Sequence, residues 1–141
     1  MIYFLDASVL AKRYVAEPGA DRVRRLFRRG ANVAVSRLSE VEVTSALVRR
    51  MRAGDLTRAV LESHLSSLLD DLSACDVVET RGPVVTLARK LVCAHGLRAY
   101  DAIQLASALR AKTHAALTFL CADDDLTRAA RAEQLRVERV G

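Results

Sequence analysis

A chain of 141 residues, 51% hydrophobic and 28% charged, has the size and balance of one globular domain, which excludes a disordered or fibrous protein. With 4% aromatic residues and no Trp, its core must be built from Leu, Val and Ala. The formal charge of +5, 22 basic against 17 acidic residues, favours a polyanion or an acidic partner, although Arg- and Ala-rich composition bias produces the same sign.

In chain order, the apolar run Ile2 to Leu5 reads as a buried strand that ends in Asp6. A helix opens near Ser8, whose hydroxyl suits an N-cap, and another follows Gly19. Val33 to Val35 is the second strand, followed by two helical patterns, Leu38 to Ala53 and Thr57 to Leu72. Val77 to Val78 is the third strand. Helices then open at Pro83, where the missing N–H costs nothing, and near Tyr100. Leu117 to Leu120 and Arg136 to Val140 are the last strands, with a helix opening within Asp123 to Asp125 between them. Gly54 and Gly96 suit helix ends. This alternation predicts an α/β fold with a parallel sheet covered on both faces. Residues 1–141 form one unit, without internal repeat or linker.

The two helices between the second and third strands exceed what a crossover needs and read as an arm. Leu47, Val48, Met51, Leu61, Leu65, Leu68 and Leu69 offer more apolar surface than an exposed hairpin should show, so the arm is expected to carry an interface. Arg49, Arg50, Arg52 and Arg58 lie on the same arm, suited to acidic side chains or phosphates. Apart from Lys12, Lys90 and Lys112, every basic residue of the chain is Arg.

Cys75, Cys93 and Cys121 form no C-x-x-C pair and are expected to be buried, reduced thiols. The N-terminal run lacks a basic leader and is too short for a signal peptide. The longest uncharged stretch, Thr113 to Ala122, falls short of the roughly 18 residues of a membrane span. The expected location is the cytoplasm.

Parallel sheets bind ligands beyond the carboxyl ends of their strands, and four carboxylates are expected there. Asp6 follows the first strand and Asp123 the fourth, Asp101 opens a helix, and Glu42 lies one turn into the helix after the second strand. Asp101 and one of Asp123, Asp124 or Asp125 also suit helix capping, and periodicity does not separate Glu42 from Glu40. A carboxylate ending a buried strand needs a partner. Converging carboxylates repel by on the order of 4 kcal/mol per pair at about 4 Å and an effective dielectric of about 20. A divalent cation removes that repulsion, and carboxylates with water suit Mg²⁺ or Mn²⁺. Such a centre activates water for phosphodiester hydrolysis.

The segment Ile2-Tyr3-Phe4-Leu5-Asp6-Ala7-Ser8 resembles the opening of PIN domains, where a strand ends in Asp-x-Ser/Thr. Ser36 to Leu47 resembles the second PIN motif, with Glu42 as its acid, and Arg98 to Leu109 closely resembles the third, with Asp101. Thr118 to Leu126 is similar to the fourth, with Asp123 in the acidic position and Asp125 as the alternative register. The resemblance implies a three-layer sandwich around a five-stranded parallel sheet. It also implies catalysis by Asp6, Glu42, Asp101 and Asp123, with Mg²⁺ (or Mn²⁺ as substitute) on Asp6, Asp101 and Asp123, and Ser8 as an auxiliary residue. The substrate implied is RNA. A free-standing PIN domain of this length resembles VapC toxins, metal-dependent endoribonucleases that form homodimers and are silenced by a cognate VapB-like antitoxin.

Other folds that gather Asp residues fit less well. A receiver domain wants a Lys after a late strand, a haloacid-dehalogenase-type phosphatase wants Asp at position 8, and a dinucleotide site wants G-x-G-x-x-G; none is present. His64, His95 and His114 lack metal-ligand spacing. A PIN nuclease outside toxin–antitoxin systems and a PIN fold reduced to an interaction module are the remaining alternatives, the second expected to have lost one or more of the four acids.

Overall fold

The computed structural model describes residues 1–112 and 115–141; Thr113 and His114 lie outside the described residues. In chain order the elements are β1 (Ile2–Leu5), α1 (Ala7–Ala11), α2 (Ala20–Arg28), β2 (Val33–Ser36), α3 (Ser39–Arg52), α4 (Arg58–Ala74), β3 (Asp76–Val78), α5 (Gly82–His95), α6 (Ala99–Lys112), β4 (Leu117–Cys121), α7 (Asp124–Ala132) and β5 (Arg136–Arg139). All sheet pairs are parallel, in the order β3-β2-β1-β4-β5. Every strand expected from the sequence is present, and the differences are confined to one or two residues at the ends.

The strand periodicity divides the apolar side chains between two cores. Phe4 faces Ala34 on β2 and Phe119 on β4 in register, and all three belong to the core under α5, α6 and α7. The Phe4 and Phe119 rings lie 5.7 Å apart and tilted, an arrangement that adds to their burial. Leu5, Val33, Val35 and Leu120 point the other way, into the core under α1 to α4. A sheet buried on both faces needs near-continuous apolar strands, and β1, β2 and β4 have them.

Local signals set the helix ends. Thr57 accepts a hydrogen bond from the Val60 N–H at 3.1 Å, capping α4. Gly96 closes α5 at φ 66°, a left-handed conformation that a side chain would strain. Gly19 is held at φ 91°, and a Cβ there would meet Val140 Cγ1 at 2.6 Å, so both conformation and space demand glycine.

Three expectations are corrected. Of the seven apolar arm residues, only Leu69 is exposed; Leu47, Leu61 and Leu68 are buried, and Val48, Met51 and Leu65 are partly buried against the same core. The pair α3–α4 spends its apolar face on its own domain. The link is reinforced where Asp71 of α4 accepts hydrogen bonds from Arg13 at 2.6 Å and the Tyr14 hydroxyl at 2.7 Å. Second, Ser8 is not the cap of α1. Asp6 is, because its carboxylate reaches the Val9 N–H at 2.8 Å. Third, the three cysteines are unpaired as expected, but only Cys121 is buried, while Cys93 is exposed and Cys75 intermediate. Among the described residues, no helix is long and apolar enough to cross a membrane.

Candidate active site

The chain steps outward from β1 through β2 to β3, then returns to lay β4 on the other side of β1. Between the carboxyl ends of β1 and β4 the two halves diverge and leave a crevice. Asp6 stands at its edge, with its N–H donating to the Leu120 carbonyl of β4 at 3.1 Å. Asp6, Glu42, Asp101 and Asp123 all line one pocket of about 330 Å³ there, together with Ser8, Arg98 and Gln104.

Each acid is held by a local device. Asp6 is only 4% exposed. Its Oδ1 caps α1 on Val9, and the Ser8 hydroxyl donates to Oδ1 and Oδ2 at 2.9 and 3.1 Å. Asp123 caps α7 through Oδ2, which accepts from the Leu126 N–H at 2.8 Å. Glu42 lies in the first turn of α3, and its Oε2 accepts from Gln104 Nε2 at 2.7 Å. Asp101 sits in the first turn of α6, where Arg98 Nε donates to its Oδ2 at 3.1 Å. Thus the capping reading holds for Asp123 and fails for Asp101, which sits inside the first turn of α6, while Asp6 is a cap that was not expected; one carboxylate can cap and line a pocket together.

The register alternatives separate in space. Asp125 is on the outer turn of α7, its side chain 77% exposed and 3.0 Å from Arg128. It lines only a neighbouring concavity with Asp101 and Asp123. Asp124 pairs with Arg139. Glu40 turns toward Arg37, at 3.9 Å, and not into the pocket.

Two pocket residues had no assigned role in the sequence reading. Gln104 is 2% exposed, and its Nε2 also donates to Ser39 Oγ at 3.1 Å, so the amide ties α6 to α3 through Glu42. Its Oε1 is buried and receives no hydrogen bond. Arg98 Nη2 lies 3.1 Å from Asp101 and 3.8 Å from Asp123, placing a guanidinium between two of the acids while its side chain stays 80% exposed. Gln104 lies three positions after Asp101 on its face of α6, and Arg98 three positions before it, just ahead of the helix. That spacing was the available signal.

Burial pushes the Asp6 carboxyl up from its ordinary 3.8 to about 7. The Val9 and Ser8 hydrogen bonds oppose the shift, and the charges of Asp101 and Glu42 add to it. Burial also raises Glu42, against the Gln104 hydrogen bond and with the charge of Asp101. Among the described residues, no three His, Cys, Asp or Glu side chains form a ready-made ligand group. Mg²⁺ is usually held by one or two carboxylates, with waters and substrate phosphates completing the octahedron. An all-oxygen donor set at which a buried carboxyl resists ionising alone therefore fits such a cation.

A carboxyl that binds its proton more tightly folded than unfolded stabilises the fold most at low pH. That contribution is lost as pH rises from the unfolded pKa through the folded one, here from about 4 to about 7. In chelator-treated protein, Asp6→Asn should remove this part of the fall in Tm across the window. Groups shifted downward, such as Glu17 and Glu79, slope the other way and are common to both proteins. Parallel Tm–pH curves for the two would show that Asp6 ionises freely.

His95 meets Glu133 at 2.9 Å and His64 packs near Tyr14, both away from the acids; His114 lies outside the described residues.

Residues 3–132 match the PIN domain family model. The ribonucleases VapC45 and VapC49, from two strains of Mycobacterium tuberculosis, are each 37% identical to this chain over 110 residues, 77% of this chain and 75% of theirs. The crystal structure of VapBC2 from Rickettsia felis bound to a DNA fragment from its promoter shares the fold with a TM-score of 0.68 at 16% identity, over 100% of both chains.

Proposed function

Because this chain belongs to the PIN domain family, we propose that it is a Mg²⁺- or Mn²⁺-dependent endoribonuclease and the toxin of a VapBC-type toxin–antitoxin pair. The observation that carries the nuclease reading is the convergence of Asp6, Glu42, Asp101 and Asp123 from four separate segments on one pocket at the β1–β4 crevice. The similarity to VapC45 and VapC49, named ribonucleases, and to the VapBC2 complex supports the toxin reading.

Asp6, Asp101 and Asp123 would hold the cation, which when bound supplies charge for the phosphodiester and lowers the pKa of a water. Ser8 fixes the plane of the Asp6 carboxylate through both oxygens. Gln104 engages Oε2 of Glu42 and leaves Oε1 to accept a proton from the attacking water, a task suited to a carboxyl raised by burial. Arg98, whose side chain is exposed, would move from Asp101 to a phosphate oxygen of the substrate. The net charge of +5 favours approach of RNA. An antitoxin would silence the enzyme by covering the pocket and setting a basic side chain among the acids. Arg98 occupies that kind of position in cis. The toxin is a homodimer in this reading.

Induction of the chain should arrest growth of a bacterial host, and co-expression with its neighbouring reading frame should relieve the arrest and yield a stable complex. Light scattering should give twice the monomer mass. Normal growth, no complex and a strict monomer would defeat the toxin reading while RNA cleavage in vitro would keep the nuclease reading.

A further inference from the structure

Beside the carboxylate pocket runs a second groove of about 460 Å³, which shares Ala7, Ser8, Glu42, Arg98 and Asp101 with it. Given the nuclease reading, on which this inference rests, we propose that the groove is a subsite for an unpaired nucleotide flanking the scissile phosphate of single-stranded RNA. Tyr100 is its stacking face and Arg49 its phosphate contact.

The argument begins with Tyr100. Among the described Phe and Tyr residues it is the exposed one, at 63%, while Phe4, Phe119 and Tyr14 are buried and Tyr3 and Phe27 partly so. An aromatic ring in water forgoes the burial that makes such residues stabilising, so this one is available to a ligand. It borders a floor of small side chains, Ala11, Ala46 and Ala99, which leaves room for a flat group. An unpaired base presents its face to an aromatic ring, whereas the bases of an RNA duplex do not.

The charge runs in the matching direction. Glu42, Ala46 and Arg49 stand at i, i+4 and i+7 on one face of α3, all lining the groove. Arg49 therefore lies about 10 Å along the helix from Glu42. Arg49 donates to Ser45 Oγ at 2.7 Å and, among the described residues, meets no carboxylate. Its neighbour Arg50, by contrast, is committed to Glu17. The groove thus has a carboxylate end, where the reacting phosphate needs a cation, and a basic end with free N–H donors for the next phosphate. Tyr100 directly precedes Asp101, so a base stacked on it is positioned by the same helical turn that carries an acid of the centre.

The test uses full-length protein carrying Asp6→Asn to suppress cleavage, titrated into a fluorescently labelled single-stranded oligoribonucleotide and, separately, into the same sequence as a duplex. Adding Tyr100→Ala should weaken single-strand binding roughly ten-fold, within the range for one lost base stack. Tyr100→Phe should stay within about two-fold of the parent. Arg49→Ala should weaken binding and lower the salt slope by about one. Duplex binding should respond to Arg49→Ala but not to Tyr100→Ala. An unchanged single-strand Kd for Tyr100→Ala, or an equal loss for Tyr100→Phe, would overturn the subsite while leaving the nuclease standing. Loss of the complex with the co-expressed partner, with RNA affinity unaltered, would make the groove a peptide seat and overturn it too. Wild-type chain that neither binds nor cuts RNA would remove both readings.

Discussion

Asp101→Asn should lower RNA cleavage by on the order of a thousand-fold or more while leaving the chain folded. Asparagine keeps the shape of the side chain and removes the charge that a hard cation requires. The folding cost is small because Asp101 is partly exposed and its partner is the solvent-exposed Arg98; exposed ion pairs contribute little. Asp6→Asn and Asp123→Asn should be equally inactive. They keep the caps of α1 and α7, because Asn caps helices as well as Asp does. Asp6→Asn should also be no less stable at neutral pH, since it removes a carboxyl that burial resists ionising. Asp125→Asn is the control. Its side chain faces solvent beside Arg128, so activity should stay within about three-fold of wild type, the range for a surface change away from the chemistry. Wild-type rates in a well-folded Asp101→Asn protein would remove the assignment of the pocket, and a dead Asp125→Asn protein would shift its register.

Chelation should abolish cleavage as completely as loss of an acid. Mg²⁺ and Mn²⁺ should restore it and Ca²⁺ should do so poorly, because the larger ion holds reacting groups too far apart. Arg98 makes a second quantity measurable. Its guanidinium lies against Asp101 and Asp123, so an incoming cation must displace it. Arg98→Ala should therefore tighten direct Mn²⁺ binding, by up to roughly five-fold for a partner so exposed, even while it slows turnover through loss of a phosphate contact. Full activity in excess EDTA would show that the pocket works by other chemistry. Unchanged Mn²⁺ affinity in Arg98→Ala would show that the guanidinium and the ion do not compete.

The strands were legible because each is a short apolar run between turn residues, and the two-faced burial of β1, β2 and β4 follows from such runs. Asp6 was legible for the same reason, as a charge at the end of a buried strand. The choice of Glu42 over Glu40 came from resemblance, because the apolar pattern of α3 alone does not say which of its two sides meets the sheet edge. In space they part, one toward Gln104 and the other toward Arg37. The arm was misread because periodicity shows which residues share a face but not what the face meets. Here it meets the core beside β2 and α1. Arg98 and Gln104 belong to the segment Arg98 to Leu109 but have no role legible in it. A flanking Arg and a helical Gln are common, and only the fold brings one onto two acids and the other onto Glu42.

Pairing of β1 with β4 joins Phe4 to Phe119, and this has a consequence during synthesis. Asp6 leaves the ribosome well before Asp123, and the crevice that unites them does not exist until β4 inserts beside β1. A nascent or prematurely terminated chain ending before Cys121 carries acids without a centre. The four acids therefore meet only in chains elongated past β4, so the pocket is assembled late in synthesis relative to the first of its acids.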